Sequence, residues 1–163
     1  MVDVVSRAKR SRMMAGIGVR DTKPELLVRR RLHANGLRYS LSGAGLPGRP
    51  DIVLRKWNVV VFVHGCFWHW HGCRLSKLPS SNSAFWRQKL TANRKRDALA
   101  VATLHGAGWR VATVWECALR GATAMQYLDS SMERLTKWIR TSSKSSKIEI
   151  SMPVVNQFNQ DAN

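Results

Sequence analysis

Apolar positions recur along this chain with two different periods, and the switches between them outline its elements. Thr22-Lys23-Pro24-Glu25 places a hydroxyl three residues ahead of a carboxylate, with proline in the first turn, which marks a helix start. Leu26, Leu27 and Leu32 follow, and Asn35-Gly36 supplies the stop. Residues 37–41 alternate as a strand. Residues 43–50 carry three glycines and two prolines and read as loop. Residues 51–54 and 59–64 are apolar runs on either side of Arg55-Lys56-Trp57-Asn58, and read as adjacent strands. Beyond a loop over residues 76–83, Ser83 is read as the cap of a basic helix reaching about His105, with Trp86, Leu90, Val101 and Leu104 inward. Gly106 and Gly108 end it, and residues 109–115 alternate again as a strand. Met125, Leu128, Met132, Leu135 and Ile139, spaced alternately by three and four, form the last helix.

Both ends break the pattern. Residues 1–20 carry Arg7, Lys9, Arg10, Arg12 and Arg20 around Met13, Met14 and Ile17, and read as a basic arm. Residues 141–163 turn to Ser and Lys, then to Asn and Gln, and are expected to be a disordered tail. Residues 21–140 between them form the folded domain. The expected architecture is α/β, a mixed central sheet flanked by helices.

Charge narrows the partners. The 163 residues include 27 Lys+Arg against 10 Asp+Glu, a formal net charge of +17. That excess points to a polyphosphate or an anionic surface as partner, and carries no information on fold. No apolar run is long enough to cross a bilayer, and the basic N-terminus lacks the apolar stretch of a secretory signal, so no membrane is expected and a cytoplasmic location is. Three cysteines, an odd number, argue for metal ligation or burial rather than a disulfide framework.

Chemistry is concentrated in Val63-His64-Gly65-Cys66-Phe67-Trp68-His69-Trp70-His71, directly after the apolar run ending at Phe62. Cys66, His71, Cys73 and Cys117 satisfy the four-ligand S/N set of a structural zinc site, provided that Cys117 arrives from a neighbouring strand. The bland alternative is three buried thiols with His71 merely exposed; clustering in a Trp- and His-rich loop favours zinc. His64 and His69 are then left for proton transfer near neutral pH. Asp51, opening an apolar strand, can hold Mg²⁺ through oxygen or simply serve a turn. Glu25 is fully explained by its place in the helix cap, with catalysis as the minority reading. Asp97 reads as a local partner of Arg94 or Lys95. Phe67, Trp68 and Trp86 are either core or an apolar wedge for a base step, and Trp57, Trp109, Trp115 and Trp138 read as core.

These residues carry a resemblance. Asp21-Thr22-Lys23-Pro24-Glu25, Leu46-Pro47-Gly48-Arg49-Pro50-Asp51-Ile52-Val53, the 62–69 segment, and Gly108 to Cys117 resemble the very short patch repair endonucleases, over roughly residues 5–140. Those enzymes nick the thymine strand at T:G mismatches left by deamination of 5-methylcytosine, and are similar in fold to the PD-(D/E)xK (restriction-endonuclease-like) nucleases. The resemblance implies Asp51 and the Val63 backbone carbonyl as Mg²⁺ ligands, His69 as the base, His64 on the scissile phosphate and Glu25 holding water at the metal. It implies structural zinc on Cys66, His71, Cys73 and Cys117. It further implies intercalation by Phe67, Trp68 and Trp86, minor-groove entry around Met14, and mismatch reading by Lys89 and Asn93. Val63 and Gly65 stand where the wider nuclease pattern has a carboxylate and a lysine, and the best-known members of the repair family carry threonine at the position of Val63. The implied partner is double-stranded DNA with a T:G mismatch, bound by a monomer at the bacterial nucleoid, with mismatch-repair proteins as further candidates.

The sequence reading is therefore a Mg²⁺-dependent, strand-specific DNA endonuclease with structural zinc. Two rivals remain: a restriction-type endonuclease acting on paired DNA, and a zinc-stabilised DNA-binding module without catalysis. Free histidines favour catalysis, and the aromatic wedge favours mismatches.

Overall fold

The computed structural model describes residues 21–41, 43–141 and 145–152. The basic arm with Met14 and residues 153–163 lie outside them. Within the described residues the architecture is a five-stranded mixed sheet between helices, in strand order β1-β2-β3-β4-β5. β1 (Ser40–Leu41), β2 (Ile52–Leu54) and β3 (Val59–His64) form an antiparallel meander. β4 (Arg110–Trp115) then pairs parallel with β3, Val59 opposite Arg110 and His64 opposite Trp115. Parallel pairing needs a crossover, and α2 (Ser83–Gly106) provides it.

Helix α1 (Lys23–Ala34) starts where the sequence places it, because the Thr22 hydroxyl accepts from the Glu25 N–H at 3.5 Å and Pro24 lies in the first turn. α3 (Ala122–Arg140) buries Leu128, Met132, Leu135 and Ile139 on one stripe. Its C-terminus is closed by Arg110, whose guanidinium lies 4.0 Å over Trp138 and donates to the carbonyls of Trp138 and Ile139.

Alternation along the strands decides which helix covers which face. Ile52, Leu54, Val59, Val61, Ala112, Val114 and Ile150 pack against Val28 and Leu32 of α1 and the stripe of α3. Val53, Val60, Phe62 and Val111 face the other way, onto Leu104 of α2. Gly48 seats the 43–50 loop on this second layer. Its φ is +72°, and a Cβ there would come within 2.8 Å of the Ala100 side chain and 3.1 Å of Phe62. That contact delivers Asp51 to the start of β2.

Four sequence expectations need correction. The strand expected over residues 37–41 is reduced to Ser40–Leu41, since Leu37 is drawn into the core behind α1. Ser83 is the first helical residue rather than the cap; Asn82 precedes it in a left-handed conformation without capping through its side chain. Trp115 is half-buried and stacks on His71 at the edge of the sheet rather than filling the core. The segment expected to be disordered from residue 141 contains β5 (Lys147–Ile150), paired parallel with β4 from Val111 opposite Lys147 to Val114 opposite Ile150. Burial of Ile150 and the Arg134 bond to the Glu149 carbonyl hold it there.

Candidate active site and metal cluster

Because β3 and β4 are parallel neighbours, their C-terminal ends leave the sheet at the same edge. The turn after His64 and the turn after Trp115 therefore meet. Glu116 joins them, accepting from the Cys66 N–H at 3.3 Å and from Arg120 at 2.8 Å. Cys66, His71, Cys73 and Cys117 converge here, with their ligand atoms all within 4.8 Å of one another. The His71 Nδ1 is 3.7 Å from Cys66 Sγ and 3.6 Å from Cys117 Sγ. Ligands at Zn–S and Zn–N lengths around a tetrahedral ion would be separated by roughly 3.5 Å, so the edges already match. The Cys66 thiol, hydrogen-bonded to Cys117, holds the Cys117 thiol down to about 5 and is itself pushed up. Trp115 lies flat on His71, ring centroids 4.1 Å apart, and its indole N–H reaches Glu149 of β5 at 3.4 Å.

A second cluster uses the alternate residues of the same loop. His64 and His69 stack face to face with centroids 3.7 Å apart and planes 2° from parallel. The His69 Nδ1 is 2.6 Å from Asp97 Oδ2, on α2. Asp97 does not pair with Arg94 or Lys95 as the sequence reading expected. Burial raises its carboxyl, but the bond to His69 and the nearby cationic groups outweigh burial and leave it below the usual range. An ionised carboxylate only accepts, so the His69 Nδ1 carries a proton, and in the neutral ring the lone pair is therefore on Nε2. Burial lowers His64 to about 3, and a proton on His69 would lower it further while Asp97 opposes, so the neutral imidazole is favoured. It can meet a phosphate oxygen as a neutral hydrogen-bond donor and not as a cation.

Asp51 sits just before β2, its Oδ2 accepting from the Val63 N–H at 2.7 Å. Burial drives its carboxyl up to about 6, with the charge of Glu25 adding to the rise while the Val63 bond and Arg29 oppose it. Glu25 is buried at 5 % exposure, bonded by the Thr22 hydroxyl at 2.8 Å, the Asp21 N–H at 3.0 Å and Arg29 at 3.1 Å. The structure thus brings Glu25 into electrostatic range of Asp51, while the helix cap and the Arg29 ion pair account for its bonds.

The aromatic residues gather beside the loop. Phe67 meets Trp68 at 5.2 Å and Trp86 at 5.3 Å, and Phe85 joins through Trp86 at 5.4 Å. Lys89 lies over Trp68, Trp86 and Phe85, between 5.6 and 5.8 Å from each centroid. Asn93 donates to the Trp68 carbonyl at 2.9 Å and accepts from Arg96. Trp86 therefore belongs to this cluster more than to the inner face of α2. Phe85, 55 % exposed, was missed in the sequence because it alternates with no apolar partner. Asp97 was missed although it falls on the stripe of Leu90, Val101 and Leu104, where a charge needs a partner.

Comparison with known proteins places the chain in a family. The family model for DNA mismatch endonuclease Vsr matches residues 2–75. The chain is 42% identical over 149 residues to DNA mismatch endonuclease Vsr of Escherichia coli, covering 91% of this chain and 95% of that protein. It is 45% identical over 126 residues to the type II nicking enzyme V.XorIIP of Xanthomonas oryzae pv. oryzae, covering 77% and 93%. It is 41% identical over 140 residues to the type II nicking enzyme V.NmeAIP of Neisseria meningitidis, covering 86% and 96%. With a relative matched over nearly its full length, a folded Cys/His cluster and a histidine pair at one sheet edge, this chain belongs to the DNA mismatch endonuclease Vsr family and is a DNA endonuclease, a hydrolase of phosphodiester bonds.

Proposed function

We propose that the enzyme nicks the thymine strand at T:G mismatches left by deaminated 5-methylcytosine, by Mg²⁺-dependent hydrolysis, on a PD-(D/E)xK-like fold. The observation that carries this reading is a single segment, residues 64–73, holding a carboxylate-oriented histidine, three of the four members of a metal-competent Cys/His set and an aromatic wedge. The residues fit both metals. Asp51 and Glu25 make an acidic corner in which burial first, and the charge of Glu25 after it, hold the Asp51 carboxyl up to about 6, and a divalent cation would offset both. Asp51 and the Val63 carbonyl would hold Mg²⁺, which when bound neutralises phosphate charge and makes water more acidic. Cys66, His71, Cys73 and Cys117 would hold Zn²⁺, which orders the loop.

The chain's own residues supply the remaining steps. The His69 Nε2, left free by the Asp97 bond, takes a proton from water as the water oxygen attacks phosphorus and the opposite P–O bond breaks, the leaving oxygen taking its proton from solvent water. His64 donates to a phosphate oxygen, and Glu25 polarises the Asp51 corner. Phe67, Trp68 and Trp86, stiffened by Lys89, enter a base step that the mismatch has already weakened. Asn93 fixes the Trp68 backbone in the free protein, so mismatch reading by Asn93 and Lys89 requires both to exchange these contacts for bases.

A strand-resolved nicking assay tests this directly. Labelled duplexes carrying T:G in varied flanking contexts, with paired T:A controls, are incubated with Mg²⁺. Cutting of the thymine strand at T:G is expected. Equal cutting of both strands in paired controls would make the enzyme restriction-like, and binding without cutting in all contexts would leave a DNA-binding module.

A further inference from the structure

We infer that Glu149 is a positioning residue for nicking: from β5 it holds the Trp115 indole against the histidine pair, so the last strand sets where His64 and His69 stand. The inference rests on the reading of His69 as the base. Register explains how Glu149 reaches this far. Parallel pairing sets Glu149 opposite Thr113, and alternation puts Trp115 on the same face two residues on. Both line a groove of about 410 Å³ under α2, which His64, His69 and Asp97 also line. Ile148 and Ile150 take the opposite face, in the first core layer.

The path of contacts from strand to base is short. The Trp115 indole N–H donates to Glu149 Oε2 at 3.4 Å, and Lys147 Nζ lies 2.8 Å from Oε1. The indole meets His64 edge-on at 5.4 Å and His69 at 6.5 Å, while its face covers His71 at 4.1 Å. The terminal torsion of a tryptophan is broad, so the bond at the indole nitrogen, with the His71 stack, fixes the tilt of the ring. β5 itself is anchored by bonds that do not use the Glu149 side chain. Arg134 donates to the Glu149 carbonyl at 2.7 Å, the Val111 N–H donates to the Ser146 carbonyl at 2.8 Å, and Ile150 is fully buried. Two residues past the strand, the Met152 backbone N–H donates to the Cys117 sulfur. Shortening the Glu149 side chain therefore frees the indole and leaves the strand docked.

The experiment uses the full chain with its zinc bound, on a T:G duplex at saturating Mg²⁺. Glu149→Ala should lower the single-turnover nicking rate by about 3–10-fold, the weight of one exposed hydrogen bond. Duplex affinity and bound zinc should stay at wild-type values. Glu149→Gln breaks the Lys147 pair as Glu149→Ala does but keeps an oxygen acceptor for the indole, so it should restore the rate. A fall as deep in Glu149→Gln as in Glu149→Ala would give the effect to Lys147 and overturn the proposal. Trp115→Phe keeps a ring and removes the N–H; it should slow nicking as Glu149→Ala does, and the double variant should be no slower than either. Additive losses would overturn the proposal too. In isotope-labelled protein the Trp115 indole N–H resonance, assigned by its loss in Trp115→Phe, should move upfield in Glu149→Ala and stay in place in Glu149→Gln. An unmoved resonance in Glu149→Ala means that there was no bond to lose, and the proposal fails. If Glu149→Ala releases zinc, the strand has come away and Trp115→Phe decides, a wild-type rate there overturning the proposal. His69→Ala at the full rate would refute the catalytic reading and this proposal with it. A wild-type rate in Glu149→Ala beside an inactive His69→Ala sinks the proposal alone.

Discussion

The two clusters at the end of β3 share one loop and little else. Residues 66, 71 and 73 turn to a sulfur-rich set closed by Cys117, with two of its thiols buried. Residues 64 and 69 turn to a half-exposed set completed by Asp97, open to a groove, with Asp51 nearby at the start of β2. Closed sulfur sites hold structure and open N/O sites do chemistry. Interleaving them means that the position of His69, the proposed base, depends on Cys66 three residues before it and His71 two residues after it. Trp115 makes the dependence physical, lying flat on His71 while its edge meets His64 at 5.4 Å.

The largest effect should come from the closed set. Cys117→Ser is expected to lose bound zinc, lower the melting temperature and bring nicking below detection, because the binding energy of a structural site is folding energy. Metal analysis and thermal melts check it; a variant as stable and active as the wild type would dissolve the distinction between the clusters. Next come Asp51→Ala and His69→Ala. Each should cut nicking by about 10²–10⁴-fold or more, the range of positioned acid–base catalysis, while zinc content is unchanged. Duplex affinity at low salt should survive, since phosphate contacts dominate it in a chain of net charge +17.

Asp97→Asn should fall between, at about 10–100-fold, because it leaves the His69 ring present but loosens its tautomer. Phe67→Ala should lower the T:G over T:A preference more than it lowers overall affinity, read from parallel duplex titrations.

The smallest effect tests the Asp51 corner through pH. Its carboxyl is raised from 3.8 to about 6 in the fold, so the folded state holds this proton more tightly than the unfolded chain. The resulting stabilisation is full below about pH 4 and is lost as pH rises through about 6. Above that, ionised Asp51 costs on the order of 3 kcal/mol, taken from the size of the shift. Without Mg²⁺, Asp51→Asn should therefore raise the melting temperature at pH 7.5 and give no gain near pH 4. At limiting Mg²⁺, nicking by the wild type should decline below about pH 6, where a proton competes with the cation for Asp51, and saturating Mg²⁺ should move the decline to lower pH. Equal melting temperatures of the two proteins at pH 7.5 would show that the corner is better solvated than its burial implies.

Where periodicity and burial coincide, the sequence was readable. The helical stripe from Leu128 to Ile139, with Met125 exposed at its start, and the cap at Thr22 appear in the structure, and β3 and β4 are the neighbours that the zinc reading required to bring Cys117 to Cys66. β5 was not readable, since Lys147-Ile148-Glu149-Ile150 is only four residues in a Ser- and Lys-rich stretch. It gains stability from the β4 edge and not from itself. Asp97 was hidden among Arg94, Lys95 and Arg96, which offer local partners, and only the helical stripe it shares with Val101 and Leu104 pointed inward. Trp115 was hidden by statistics: most tryptophans at strand ends fill cores, and this one walls two clusters.

The dependence of the open cluster on the closed one is measured most directly by following the nicking rate on a T:G duplex, at saturating Mg²⁺, as zinc is restored to zinc-free protein. The account predicts that the rate rises in proportion to occupancy of the Cys66, His71, Cys73 and Cys117 site up to its single equivalent. Zinc-free protein that nicks the thymine strand at the full rate would contradict it.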